Sequence, residues 1–239
     1  MNPTNKSLPP APLLALDTAT ESCSVALTLP SGQCLSRDTD IPRQHSQVLF
    51  TLIDQLLEEA GIQKSELACL ACGIGPGTFT GVRIAVAVAQ GLAAALNLPI
   101  VPVSNLLAVA QDGYEQLAAQ GIAPPPGFRL RAVIDARMHE IYSAVFHWDG
   151  SALQQTGKEQ LLSAKQLLQK ETQHPSDCLA GNALTVFDEL STLPSASMLP
   201  AARSHARTIA KLAAGQPRLV EPTSLQPAYL RQQVTHQKT

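Results

Sequence analysis

Apolar and polar positions divide the chain into short runs of different period. Leu13-Leu-Ala-Leu16 is continuously apolar and residues 22–29 alternate, so both predict strands. Pro30-Ser-Gly32 reads as a hairpin turn into a third strand over 33–38. From 45 to 60 the apolar residues Val48, Leu49, Leu52, Ile53, Leu56, Leu57 and Ala60 fall on one helical face, and Gly61 stops the helix. A buried strand over 67–74 runs into the glycine-rich turn Gly73-Ile-Gly-Pro-Gly-Thr-Phe-Thr-Gly81, and a helix over about 81–97 follows. A strand over 99–103 and a helix over 105–119, capped by Ser104, close the first half. The second half predicts strands over 129–135 and 140–148, a turn at Asp149-Gly150, and helices over 163–171, 183–190 and 201–214. The tail from Pro222 reads as irregular, with Tyr229 and Leu230 as its docking anchors.

The halves repeat. At an offset of 118, Asp17 falls on Asp135, Leu14 and Leu16 on Ala132 and Ile134, Ala26 and Leu27 on Ala144 and Val145, and Gly32 on Gly150. A duplicated β-β-β-α-β-α unit in an α/β protein is the expectation. Pro124-Pro-Pro126 is the expected linker, which divides the chain into domains 1–120 and 121–239.

Composition narrows the function. A formal net charge of −2 argues against holding nucleic acid by bulk charge, and 4% aromatic residues argue against a base-stacking platform. The polar opening to Pro12 has no apolar leader, and the five cysteines are scattered, so reduced thiols in the cytoplasm are expected. Cys69 and Cys72 lie in an apolar run without further metal-ligand spacing and read as buried thiols. The most apolar stretch, 84–98, is interrupted by Gln90 and Asn97 and reads as too short to span a membrane.

Three features could carry chemistry. Asp17 and Asp135, each ending a first strand, could orient magnesium on a nucleotide in a cleft between the halves, with Thr18 beside them; turn capping is the plainer alternative. The glycine-rich turn matches neither the Walker loop, since Val82-Arg83 follows Gly81, nor the dinucleotide fingerprint; it leads into a helix N-terminus whose free N–H groups could hold an anion, with a tight strand-to-helix turn as the plainer alternative. In the helix after it, Arg83, Gln90 and Asn97 form one narrow polar line while the rest of the circumference is apolar and small, so a second side of the helix must be covered by a protein partner or by the chain itself. No catalytic nucleophile motif and no helical histidine pair for a metal stands out.

Leu14-Ala-Leu-Asp-Thr-Ala-Thr-Glu-Ser-Cys-Ser-Val-Ala-Leu27, His45-Ser-Gln47, Gly75-Pro-Gly-Thr-Phe-Thr-Gly-Val-Arg-Ile84, Val133-Ile-Asp-Ala-Arg137 and Pro227-Ala-Tyr-Leu-Arg231 together resemble the bacterial TsaB (YeaZ) family. The resemblance implies the actin-like, hexokinase-like ATPase (ASKHA) fold. It implies a non-catalytic scaffold role in making threonylcarbamoyladenosine beside the tRNA anticodon. Implied partners are the catalytic subunit TsaD, the small ATPase TsaE, tRNA through the complex, and a second copy when the chain is alone. No cofactor is implied beyond weak ATP or ADP with magnesium. The partner surface expected from the two helices is His45, Leu49, Ile53, Thr78, Phe79, Thr80, Arg83, Ile84, Ala87, Gln90 and Gly91. The candidate nucleotide cleft is Asp17, Thr18, Asp135 and Gly181, the last in Leu179-Ala-Gly-Asn182, which offers a single glycine for an adenosine loop. A stand-alone magnesium–ATP-dependent small-molecule kinase or ATPase of the same fold is the rival reading.

Overall fold

The computed structural model describes residues 12–20, 22–39, 45–193, 197–215 and 218–231, with backbone alone at 45–47. The opening residues 1–11 lie outside it. The first sheet contains β1 (Leu13–Asp17), β2 (Cys23–Thr28), β3 (Cys34–Thr39), β4 (Cys69–Gly73) and β5 (Ile100–Val103) in the order β3-β2-β1-β4-β5. Its helices are α1 (His45–Ala60) and α2 (Phe79–Leu96), followed by α3 (Asn105–Ala119). The second sheet contains β6 (Arg129–Asp135), β7 (Glu140–Trp148), β8 (Leu153–Ser163), β9 (Cys178–Ala180) and β10 (Ser197–Leu199) in the order β10-β9-β6-β7-β8, with α4 (Ala164–Gln173) and α5 (Ala206–Gly215). The two orders are the same topology written from opposite ends. This is the duplicated α/β arrangement of the actin-like fold.

The helices that cover the sheets are partly exchanged. Leu14, Leu16, Val25 and Leu27 pack against α1 and α2, while Leu13, Ala15 and Ala26 on the other face pack against Ile209, Ala210 and Ala213 of α5. Reciprocally, Leu106, Val109 and Leu117 of α3 pack on Leu130, Ala132 and Ile134 of the second sheet. The faces between the sheets are thus sealed by α3 and α5, each crossing from the half in which it is encoded to the other.

This exchange corrects the repeat. The α5-covered face of β1 carries Leu13, Ala15 and Asp17, and the corresponding α3-covered face of β6 carries Leu130, Ala132 and Ile134. Asp17 is therefore the counterpart of Ile134, and the offset for this strand is 117 (134 minus 17) rather than 118. The offset of 118 holds for β2 and β7, where Ala26 and Ala144 both face inward between the sheets. One residue of slip moves a side chain to the opposite face of a strand, so Asp17 and Asp135 are not symmetry mates.

Other expectations change as well. The stretch predicted helical over 183–190 forms two 3₁₀ turns, Asn182–Thr185 and Asp188–Thr192. The last helix begins at Ala206, because residues 200–205 form an irregular connection under the cleft. Cys69 and Cys72 are buried in β4 on opposite faces, since an i, i+3 spacing on a strand points side chains apart. Burial pushes the Cys69 thiol up to about 12 and raises that of Cys72 as well, which keeps both protonated.

The tail is a strap rather than a free end. Val220 exchanges backbone hydrogen bonds with Ile100 at the edge of the first sheet (2.8 and 3.0 Å), and Ala228 N–H donates to Ile74 O (2.7 Å). Arg231 then reaches the second lobe, donating to Ala136 O (3.2 Å) and to Glu140. Its anchor is Leu225, which is buried in the first core, and Tyr229 is exposed instead.

Candidate functional site: an exposed helix face above a buried aspartate

The glycine-rich turn seats the start of α2 against the β1–β2 loop. Thr78 N–H donates to Ala19 O (2.7 Å) and the Thr18 hydroxyl donates to Gly81 O (2.6 Å). Gly75 N–H donates to the Asn105 side-chain oxygen (2.6 Å), and Asn105 N–H donates back to Gly75 O (2.9 Å). A Cβ on Gly81 would collide with Thr18 O, so only glycine lets the helix approach this closely. The turn's glycines serve close backbone approach, Gly77 to Ala19 O and Gly81 to Thr18 O.

Asp17 lies beneath this junction. Its Oδ1 accepts from Ala19 N–H (3.0 Å) and Asn105 Nδ2 (2.9 Å), and Asn105 Nδ2 also donates to Ser204 Oγ (2.8 Å). Its Oδ2 is buried and has no hydrogen-bond partner among the described residues. Burial raises the Asp17 pKa above the ordinary carboxylate value, against the opposing pull of Ser204, Ala19, Asn105 and His205. A carboxyl whose folded pKa is raised favours folding while protonated, and that contribution is lost as pH rises through the raised value. Asp17→Asn keeps an oxygen for Ala19 and Asn105 and removes the buried charge. Relative to the parent, the variant is expected to gain stability as pH rises from 4 to 7, because only the parent carries a buried group whose ionisation opposes folding. Thermal midpoints measured from pH 4 to 8 check this. A variant that loses more stability at pH 7 than at pH 4 would refute it.

The cleft between the lobes has a volume of about 990 Å³ and is lined by Thr20, Asp112, Asp135, Arg137, Asn182 and Arg203, among others. Asp135 is at its rim, with Oδ1 accepting from Arg137 N–H (2.8 Å) and Oδ2 3.2 Å from the Arg137 guanidinium. Asp17, Thr18 and Gly181 do not line it, which corrects three of the four expected cleft residues. Asp17 and Thr18 are sealed under α2 and α3, and Gly181 packs against the Val133 carbonyl. Among the described residues no three histidine, cysteine or acidic side chains gather as metal ligands.

The other candidate surface is α2. Gly81, Val82, Ala85, Val86, Ala89 and Ala93 are buried against the first core. The opposite side presents Thr80, Ala87, Gly91, Ala94 and Ala95 to solvent with Ile84 half-buried among them, at the i, i+4, i+7 spacing of one helical stripe. Phe79, 64% exposed, stands at its head. The helix has 18 residues and mean hydropathy 1.6, so by length and composition alone it could cross a membrane, contrary to the sequence expectation. One face instead serves the core, while the other is apolar, small and left uncovered by the described residues.

Arg83 and Gln90 of the polar line run between these faces and meet the strap. Gln90 Nε2 donates to Leu225 O (2.9 Å), and the Arg83 guanidinium lies 3.1 Å from the Phe79 ring centroid and 5.1 Å from that of Tyr229. Gln90 is thus held by the chain's own tail, a correction to its place in the expected partner surface. Leu49 and Ile53 are corrected too. Both are fully buried under α1 and point into the first core, because they belong to the same stripe as Leu52 and Leu56. The His45 side chain lies outside the described residues. Thr78 is half-buried as the residue preceding α2. What reasoning from sequence missed is Ala94 and Ala95, which continue the exposed stripe and could have been found by extending its period.

Comparison with known proteins places the molecule. A family model described as TsaD, tRNA N6-adenosine threonylcarbamoyltransferase, matches residues 39–229. The tRNA threonylcarbamoyladenosine biosynthesis protein TsaB of Haemophilus influenzae is 33% identical over 242 residues, covering 95% of this chain and 96% of that protein. The chain belongs to the TsaB family. The TsaB of Escherichia coli is 39% identical over 141 residues, 59% of this chain and 57% of that protein. A Pseudomonas aeruginosa crystal structure, described as an uncharacterized protein with similarity to peptidase YeaZ, superposes with a TM-score of 0.78 at 38% identity, covering 92% of this chain and 99% of that one. In this member of the TsaB family, the Gly75–Arg83 string that carries the resemblance is the device that seats α2.

Proposed function

We propose that the chain is the accessory, scaffold-type subunit of the assembly that installs threonylcarbamoyl on the adenosine next to the tRNA anticodon. It would pair with a TsaD-type catalytic subunit through α2. The observation that carries this is the exposed stripe Thr80–Ile84–Ala87–Gly91–Ala94, an apolar face of small side chains on which a partner helix can approach closely. The match to a TsaD family model supports a partner of related architecture. A TsaE-type ATPase as third component, self-pairing of the isolated chain through the same stripe, and a cytoplasmic setting complete the reading. Weak binding of ATP or ADP with magnesium would have to use cleft residues such as Asp135, Arg137 and Asn182, since Asp17 and Thr18 are not on the cleft wall. A stand-alone kinase or ATPase built on paired aspartates loses its geometric basis with Asp17 buried and out of register.

An omission assay tests the proposal. TsaD, TsaE and a threonylcarbamoyl-adenylate synthase are combined with tRNA, threonine, bicarbonate and ATP, with or without this chain. Modified nucleoside is expected only when the chain is present, and an Asp17→Asn variant is expected to support it fully. Equal product without the chain would overturn the reading, and loss of product with a folded Asp17→Asn variant would move the function to the cleft.

A further inference from the structure

The outer face of the second sheet carries a second, basic pocket that has no part in the pairing surface. α4 covers that face only around Val133, Ile141 and Leu162. Beside this cover lies a pocket of about 170 Å³ lined by Arg129, Arg131, Thr156, Lys158, Lys170 and His174, among others.

Arg131 is its buried floor, with a side chain 5% exposed. Its Nε donates to Glu171 and its Nη1 to Ser143 Oγ (3.3 Å). Glu171 also accepts from Ser176 N–H (2.8 Å) and Ser176 Oγ (2.9 Å). The buried charge is therefore neutralised inside the protein, as a buried guanidinium requires. Neither of these bonds uses Nη2, and Arg131 is among the residues that line the pocket.

The rim is different. Arg129, Lys158 and Lys170 form no ion pair among the described residues. The acidic neighbour is Asp177, which accepts the backbone N–H of Arg129 (2.7 Å). Lys170 sits in the last turn of α4, where positive charge complements the helix dipole, and His174 follows as the C-cap. That role does not extend to Arg129 and Lys158, which come from β6 and β8. The Thr156 hydroxyl, 3.0 Å from His147 Nδ1, adds a neutral polar group. Unpaired cations converging on a small concave site above a fixed guanidinium match the charge and the several acceptor oxygens of a phosphate.

We propose that this pocket binds a phosphate group, presented either by an RNA backbone or by a small phosphorylated molecule. The inference is independent of the pairing through α2, and its test uses the isolated full-length chain. Binding of a fluorescent single-stranded RNA is followed by anisotropy and binding of inorganic phosphate by calorimetry, for the parent and for Lys158→Glu, Lys170→Glu and Lys165→Glu. Lys165 is an exposed α4 residue outside the pocket and controls for the change in net charge. Circular dichroism confirms that each variant is folded. Lys158→Glu and Lys170→Glu are each expected to weaken binding about fivefold or more, and Lys165→Glu less than about twofold. Response of both probes, or of inorganic phosphate alone, supports the site and favours small phosphates as its ligand. Response of RNA alone supports it and assigns it to the RNA backbone. Equal weakening by Lys165→Glu would reduce the effect to general charge and overturn the proposal. So would the absence of binding up to about 100 µM RNA and about 10 mM phosphate.

Discussion

Ala87→Arg will break pairing with a TsaD-type subunit and leave the isolated chain folded. Ala87 is exposed in the middle of the small-residue stripe of α2, so the substitution disturbs no contact of the chain's own core. Against a partner helix it would do two things. A long side chain would hold the helices apart where packing needs them about 8–10 Å from axis to axis. Its charge would also be stripped of water without a designed partner. Together these are expected to raise the dissociation constant by about 100-fold, equivalent to about 2.7 kcal/mol. Calorimetric titration of the two subunits reads the loss directly, with circular dichroism as the check on folding. Undiminished affinity would move the pairing surface away from α2. Arg83→Glu is a useful companion, because Arg83 stacks on Phe79 at the edge of the stripe and not at its centre.

The second large effect is on stability. Gly81→Ala is expected to destabilise the chain by about 3 kcal/mol, at the upper end of the overpacking range. A Cβ at this position would collide with Thr18 O and lie 2.5 Å from Thr78 Oγ1, so the first turn of α2 must withdraw from the β1–β2 loop. For a chain of this size the thermal midpoint should fall by roughly 6–12 °C. Gly91→Ala is the matched control on the same helix. Among the described residues, and apart from the helix's own backbone, nothing lies within 4 Å of a Cβ there. The helix propensity of alanine should therefore stabilise the isolated chain by roughly 0.5–1 kcal/mol. Opposite signs for one substitution at two positions of one helix separate close approach from helix propensity. A Gly81→Ala variant as stable as its parent would mean that the loop and helix are not locked together.

The two substitutions also separate the layers of the argument. Gly81 acts on how α2 is seated, and Ala87 on what α2 offers once seated. Asp17, expected at the cleft surface, belongs to the first layer. It joins β1, the start of α3 through Asn105, and the connection before α5 through Ser204. Its Oδ2, without a partner among the described residues, and its raised pKa are the consequences of a carboxyl sealed at that crossing.

Periodicity alone determined most of the elements. The α1 and α3 boundaries agree with the apolar pattern and with Ser104, whose hydroxyl accepts from Leu106 and Leu107 N–H. The duplicated architecture was legible for the same reason, since each half needs the same alternation of strands and helices to bury its sheet. The excess of apolar surface on α2 was legible too, because two faces of one helix cannot both be satisfied by one sheet. Short elements were less visible. β9 and β10 have three residues each, and the 3₁₀ turns between them lack a period long enough to read.

Tertiary structure decided which side of each element is free. The period of α1 includes Leu49 and Ile53 without saying whether the stripe meets the chain's own core or a partner, and packing assigns it to the core. The polar line of α2 looked like part of an interface until the strap, distant in sequence, placed Leu225 O on Gln90. Nor could the repeat choose between offsets of 117 and 118. Register is set by which face of β1 meets α5 and which face of β6 meets α3, and those helices are exchanged between the halves. Local sequence specifies period and propensity, whereas exposure and register depend on segments far apart in the chain.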